Sequence, residues 1–568
     1  MRFFKQPPPP IHDIDPDQIF LDASNLPHFD RHQFEGRLEK PINKKVAWIV
    51  GGFAALVGIS FLGQLWNLQV VQGAQFKQLA QNNSLHSSIL FAPRGVIFDR
   101  NGVPLAWNNV NPNNPAVPLR EYATSTGLGS LIGYVKYPTQ DTSGFYYRQD
   151  YVGITGAEKY FNSELTGKNG SELAEETARG AIVSRNVVQP PQPGQNITLS
   201  IDSRVQAEMY KALGDIAAKI QSPGGAGIIM NIHTGEVLAA VSFPTYNPQI
   251  MADGTNTAAI STYLNDPATP LLDRLTNGLY APGSIVKPVM AMGALDTGTI
   301  AASTIIDTHG YITVPDPYNP SIIYRFNDWR NNGALDLAHA IGYSSDAYFY
   351  IVGGGYQNQK GMGIANIDKY AHLFGYGSSV PGFFKGPSGI VPSPAWKATA
   401  FKNDPWSIGD TYHSVIGQFG WQVTPVQVLR AITAIANDGT LLTPTILAHD
   451  TNALSTAVHL NFPQSYYNAI HYGMRLSATI GTGNALNVGY VQFATKTGTA
   501  QLGVHNDMSN SWTGGFWPYQ NPQYAFVMML ERRPRKYVLG SFDAARELFD
   551  WMDQHTPEYF AVASTTAQ

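Results

Sequence analysis

No cysteine occurs anywhere in the 568 residues. Thiol nucleophiles, disulfides and cysteine-ligated metals are therefore excluded, and the absence is compatible with a folded part outside the cytoplasm. Histidine is present 14 times but never as His-Glu-x-x-His, so a metallopeptidase lacks its ligands. His233, His413 and His505 read as structural or exposed, and no metal or organic cofactor is implied. Charge is sparse and balanced. The net charge is −4, and the 37 basic residues form no dominant cluster, which argues against a nucleic-acid partner. What the chain does have is length, enough for two or more domains with full cores.

It also has one long uncharged run. Val46 to Gly63 carries no charged residue and continues apolar through Leu65-Trp66, the length a bilayer core demands. Residues 46–66 are predicted to form a single transmembrane helix. Lys40, Lys44 and Lys45 precede it, with Arg31 and Arg37 earlier. The positive-inside bias places residues 1–45, a flexible tail containing Pro7 to Pro10, in the cytoplasm and the remainder outside. The run begins too far from Met1 and is too long for a cleaved signal peptide.

Residues 67–195 alternate short β-like runs, such as Ser88 to Phe91 and Val96 to Phe98, with turn-rich loops. Residues 196–560 open on a helix capped by Asp202 or Ser203, with Val205, Met209, Ala212, Ile216 and Ile220 at helical spacing. Ala226 to Ile232 and Glu236 to Phe243 flank His233-Thr234-Gly235 as a β-hairpin. Trp512 to Phe516 and Tyr524 to Leu530 read as further strands, and Phe542, Ala545, Leu548, Phe549 and Met552 as a closing helix. Strands at both sequence ends with helices between imply an α+β domain whose sheet joins distant segments.

Within that domain, Ser284-Ile-Val-Lys287 follows Ala281-Pro282-Gly283. A helix beginning at or near Ser284 puts a hydroxyl and an amine on one face, an acyl-transfer pair. Lys287 serves as a base only when neutral, which requires burial or a second cation nearby. Tyr343-Ser344-Ser345-Asp346 and Thr495-Lys496-Thr497-Gly498-Thr499-Ala500 follow in order. The three motifs together match the Ser-x-x-Lys, Ser-x-Asn-like and Lys-Thr-Gly signature of penicillin-binding proteins and class A β-lactamases.

The chain thus resembles a class B penicillin-binding protein, a monofunctional peptidoglycan transpeptidase. Arg94-Gly95-Val96-Ile97-Phe98-Asp99-Arg100 resembles the family's first pedestal motif, and Gly153-Ile154-Thr155-Gly156-Ala157-Glu158 its Gly-x-x-Gly-x-Glu motif. Leu199-Ser200-Ile201-Asp202 with Gln206, and Ile416-Gly417-Gln418-Phe419-Gly420 with Thr424-Pro425, extend the likeness from about Ala92 to about Arg532. The resemblance implies a five-stranded antiparallel sheet flanked by helices, on a β-rich pedestal whose head is short. Arg94, Asp99 and Glu158 are then expected in buried ion pairs that set the pedestal against the catalytic domain.

The resemblance also implies roles. Ser284 attacks the D-Ala-D-Ala carbonyl of a stem peptide, Lys287 takes its proton, and Lys496 supplies a second cation. Ser344 relays a proton to the leaving amine. Thr497 and Thr499 meet the terminal carboxylate, Gly498 admits the substrate backbone, and the N–H groups of Ser284 and Thr499 hold the oxyanion. Asp346 departs from the commoner asparagine, since an ionised aspartate only accepts hydrogen bonds. β-Lactams, the membrane and a SEDS-type glycosyltransferase are the implied partners. A D,D-carboxypeptidase or β-lactamase-like hydrolase, and a non-catalytic assembly factor, are the competing readings. Trp512, Trp517 and Tyr524 are expected to pack the sheet, and Gln418 and Gly420 to be structural.

Overall fold

The computed structural model describes residues 43–112, 114–142, 144–176 and 182–561. The expected cytoplasmic tail falls almost wholly on residues 1–42, outside that range. The chain divides into two compact units, Met1–His86 with Ala174–Arg185, and Ser87–Leu173 with Asn186–Gln568.

In the first unit, α1 spans Lys44–Trp66 and is capped by Asn43, whose side chain accepts from the Lys45 N–H at 3.1 Å. Apolar residues occupy every face, and Trp48, Phe53, Ile59 and Trp66 are all exposed. A helix apolar all round with nothing packed on it is the pattern of a membrane span. The stretch Lys44–Val71 is long and apolar enough to cross one, with none of it buried.

The second unit begins with the pedestal. Strands β1 (Ile97–Phe98), β2 (Pro104–Asn109), β3 (Leu119–Tyr122) and β4 (Ile197–Thr198) form a sheet in the order β4-β1-β2-β3, with β4 parallel to β1. Arg94 pairs with Glu158 at 2.6 Å, as expected, but the other Glu158 oxygen meets Arg120 at 2.7 Å, a partner not read from the sequence. All three are buried, and Arg94 donates further to the Glu158 carbonyl, Thr166 and Asn162. Glu158→Ala would strand two guanidiniums in the interior and is expected to cost about 3–5 kcal/mol. Chemical denaturation would show the loss as a lower midpoint.

Asp99 corrects the expectation of a third ion-pair member. Its buried carboxylate accepts from the N–H groups of Asn101 and Val103, both at 2.8 Å, and from the Ser203 hydroxyl at 2.7 Å. It joins pedestal to catalytic domain through hydrogen bonds, with no cation paired to it among the described residues. Asn101 reinforces the join by donating to Asp202 at 3.2 Å.

Asp202 caps α2 (Ser203–Ile220), whose Val205, Met209, Ala212, Ile216 and Ile220 are buried as their spacing predicts. Strands β5 (Gly224–Asn231) and β6 (Val237–Phe243) form the expected hairpin. Five helices matter for the site and core: α3 (Lys287–Asp296), α4 (Leu337–Gly342), α5 (Asp346–Gly354), α6 (Pro425–Ala436) and α7 (Gln464–Thr479). The chain then returns to the sheet with β7 (Ala494–Leu502), β8 (Met508–Trp517) and β9 (Tyr524–Pro534), and ends on α8 (Ser541–His555).

The sheet order is β6-β5-β9-β8-β7, antiparallel throughout, with Ala226 paired to Met529 across some three hundred residues of chain. Successive residues of a strand face opposite sides. Ala226, Ile228 and Met230 accordingly join the core under α3 and α6, while Ile229 joins that under α2 and α8. Gly227 lets α2 approach closely, since a Cβ there would lie 2.6 Å from the Met209 sulfur. Trp512 and Trp517 are fully buried and Tyr524 half-buried, in keeping with a packing role.

Candidate active site

Ser284 sits in a 3₁₀ turn, Gly283–Val286, that runs into α3 at Lys287. The expected helix start at Ser284 is thus corrected by one turn. An α-helix begun there needs an N–H from residue 288 to reach the Ser284 carbonyl, and Pro288 has none. The Lys287 N–H closes the tighter ring onto that carbonyl instead. Side chains three apart eclipse in a 3₁₀ turn, which stacks Lys287 over Ser284 more directly than an α-turn would. Ser284 is half-buried, and its hydroxyl makes no hydrogen bond among the described residues.

Two backbones clamp this turn. Gly283 adopts φ +59° and donates to the Gly417 carbonyl at 2.9 Å. A Cβ on Gly417 would come within 2.2 Å of the Gly283 oxygen, and one on Gly498 within 2.7 Å of the Pro282 oxygen. The packing of β7 against the nucleophile turn thus leaves no room for a side chain at Gly498. Beside Gly417, Phe419 takes φ +58° and packs its ring among Trp396, Phe401 and Trp406.

Ser344 lies between α4 and α5 with φ +57°, a conformation that costs a non-glycine residue about 1–3 kcal/mol. The surroundings hold it there. Asp328, which follows the hairpin Tyr311–Pro315/Ile323–Asn327, accepts from the Ser345 hydroxyl at 2.5 Å and from the Asp346 and Ala347 N–H groups at 3.1 and 3.2 Å. A carboxylate on the first N–H groups of α5 also complements its dipole. No periodic pattern marks Asp328 in the sequence, and it was missed. Next to it, the Trp329 indole donates to the Tyr343 carbonyl at 3.1 Å, and Arg330 lies 4.6 Å from both ring centroids.

The two lysines meet on Ser344. Lys287 Nζ donates to its carbonyl at 2.8 Å and to Asp346 Oδ1 at 2.6 Å, while Lys496 Nζ donates to its hydroxyl at 2.8 Å and to the Thr497 carbonyl at 2.7 Å. Lys496 is fully buried, and its pKa is pulled well below the ordinary 10.5, first by burial and then by the Lys287 charge, with Asp346 opposing. Lys287 was expected to need burial or a second cation nearby, and it has both: its side chain is fully buried and Lys496 converges on the same serine. Asp346 keeps a fifth of its side chain exposed.

Thr497 donates its hydroxyl to Thr482 at 2.6 Å, whereas Thr499 is exposed. Both lie on β7, the edge strand of the sheet, whose free side can accept an extended peptide. Ser284, Lys287, Ser344, Asp346, Lys496 and Gly498 are thus brought into one cluster, with Thr497 and Thr499 along its wall.

A hydroxyl on a clamped turn, two lysines converging on one serine and an open strand edge define a serine acyl-transfer site. The penicillin-binding protein transpeptidase domain matches residues 225–548, and the penicillin-binding protein dimerisation domain matches residues 113–199. The peptidoglycan D,D-transpeptidase MrdA of Salmonella typhimurium is 31% identical over 604 residues, spanning 87% of this chain and 93% of that protein. Among solved structures, Pseudomonas aeruginosa PBP2 in complex with WCK 5153 is 27% identical, with TM-score 0.68 over 85% of this chain and 100% of that one. Helicobacter pylori PBP2, solved in complex with MreC, is 25% identical, with TM-score 0.67 over 83% of this chain and 99% of that one. The chain belongs to the penicillin-binding protein transpeptidase family.

Proposed function

We propose that this protein cross-links peptidoglycan stem peptides outside the cytoplasmic membrane, anchored by α1 and working beside a membrane glycosyltransferase of the SEDS type. The activity, serine D,D-transpeptidation, is that of the family. The observation that carries the reading is the meeting of Lys287 and Lys496 on Ser344, at the turn that presents Ser284.

Ser284 Oγ bonds to the carbonyl carbon of the penultimate D-Ala, and the bond to the terminal D-Ala nitrogen breaks. The serine proton passes to Lys287, eclipsed with it in the turn. The leaving amine takes a proton through Ser344, whose hydroxyl rests 2.8 Å from Lys496. An amine of a second stem peptide then attacks the ester and releases Ser284. The backbone N–H groups of Ser284 and Thr499 face the oxyanion, with a donor of this kind worth about 2.7–4 kcal/mol. Thr499, exposed at the strand edge, meets the terminal carboxylate of the donor peptide. The hydroxyl of Thr497, already given to Thr482, holds that wall in place. β-Lactams acylate the same serine, and MreC-bound PBP2 supports a wall-synthesis assembly as the setting.

Incubating the full chain with labelled penicillin and mapping the adduct by peptide mass should place one acyl group on Ser284, with D-Ala release from a pentapeptide substrate in parallel. Absence of both refutes the reading. Asp346 acts here chiefly as an orienting acceptor for Lys287, a role an amide oxygen also fills. Asp346→Asn should therefore leave the acylation rate within about tenfold, or ~1.4 kcal/mol. Complete loss would show that the carboxylate charge itself is required.

A further inference from the structure

A cleft of about 1080 Å³ lies between the pedestal and the transpeptidase domain and shares no residue with the Ser284 site. One wall comes from β2, β3 and the hairpin Thr139–Gln140/Tyr146–Arg148; the other comes from α2 and residues 245–263. Five half-buried rings line it: Trp107, Tyr137, Tyr146, Tyr210 and Tyr263.

The tyrosines are held by their hydroxyls. Tyr137 donates to the Arg120 carbonyl at 3.1 Å, and Tyr146 accepts from Asn114 at 3.3 Å. Tyr210 accepts from the Thr245 N–H at 3.4 Å and Tyr263 from the Asn247 N–H at 3.3 Å. With the polar ends anchored in the walls, the rings are fixed apolar platforms. Trp107 is different: its indole N–H has no protein partner among the described residues. Thr124, Ser125 and Thr126 add exposed hydroxyls.

Charge narrows the ligand. Glu121 and Asp253 line the cleft, and among the described residues no lysine or arginine does. A phosphate, nucleic acid or anionic lipid headgroup would find no cation there. A wholly apolar segment would leave the hydroxyls and carboxylates desolvated without partners. Pyranose rings satisfy both conditions, since they offer C–H faces to aromatic platforms and hydroxyl or amide edges to polar side chains.

We infer that this cleft holds a neutral N-acetylhexosamine chain, the glycan strand from which the stem peptides branch. The inference rests on the transpeptidase reading and gives the pedestal a substrate-binding role. A strand held here raises the effective concentration of its own stem peptides at Ser284 without contributing to the chemistry.

The test titrates the full-length protein in detergent with chitohexaose by isothermal calorimetry, with maltohexaose, which lacks N-acetyl groups, as control. Chitohexaose should bind at least tenfold more tightly than maltohexaose. Trp107→Ala and Ser125→Arg should each weaken chitohexaose by at least tenfold. Ser125 is exposed, so its arginine variant should keep the wild-type melting curve and fill the cleft without disturbing the core. No chitohexaose binding, equal binding of the two sugars, or unchanged affinity in a normally folded Ser125→Arg protein each overturns the proposal. Penicillin labelling of the same wild-type preparation separates the two readings: label without glycan binding sinks only this one, and no label sinks the reading beneath it.

Discussion

Changing Lys287 to methionine is expected to slow acylation of Ser284 by penicillin by about 10²–10⁴-fold, the usual worth of a positioned general base. Methionine keeps the length and the apolar stem, so α3 retains its packing and the loss reports the amine. The same change leaves Asp346 Oδ1 and the Ser344 carbonyl without the donor that now reaches them at 2.6 and 2.8 Å. Breaking a buried pair in this way costs about 3–5 kcal/mol, and partial exposure of Asp346 moves the expectation to the lower end. The two effects are separable. Lys287→Met with Asp346→Asn removes the orphaned charge and should recover most of the melting temperature while leaving the acylation rate low. A double variant that regained activity along with stability would show Lys287 to be a strut for the Ser344 loop and not the acceptor of the serine proton.

Much of this molecule was readable before its structure because local pattern and tertiary demand agree. Val205 to Ile220 repeat at helical spacing and bury that face against the sheet, and the hairpin turn at His233-Thr234-Gly235 lies where Gly235 takes φ +77°. The motif residues were legible by resemblance, since their order along the chain is specific even though no short segment of it is. What stayed hidden depends on partners far away in sequence. Asp328 is one carboxylate among many until the fold lays it on the first N–H groups of α5. Arg120 is unremarkable until β3 brings it to Glu158. The packing of Gly498 on the nucleophile turn was hidden because that turn lies more than two hundred residues earlier. Pro288 did carry the signal for the 3₁₀ turn, in the N–H it lacks. How deeply each lysine is buried was not legible in the same way: sequence shows which cations exist, and only the fold shows which of them lose their water.

Lys496→Met should therefore move stability and activity in opposite directions. Lys496 is wholly enclosed, and water is replaced around it by the Ser344 hydroxyl, the Thr497 carbonyl and a second cation. Its folded pKa lies well below 10.5, so between that lowered value and 10.5 the unfolded chain binds the extra proton and the folded one does not. Stability contributed by this group consequently rises with pH across that window, and below it the full cost of a buried ammonium is paid. An apolar side chain of similar volume removes the cost, and such replacements are often neutral or stabilising by about 1–4 kcal/mol. The variant should melt no lower than wild type at neutral pH, and its stability should climb less steeply with pH on the alkaline side. Acylation should fall by about 10²–10⁴-fold as the relay through Ser344 loses its proton source and sink. Wild-type acylation should rise along a limb whose midpoint lies below 10.5, and that limb should vanish in the variant. A Lys496→Met protein that is both less stable and unchanged in its pH–rate limb would mean that Lys496 stays a paired ammonium throughout, and the proton path would then have to run through Lys287 and Asp346 alone.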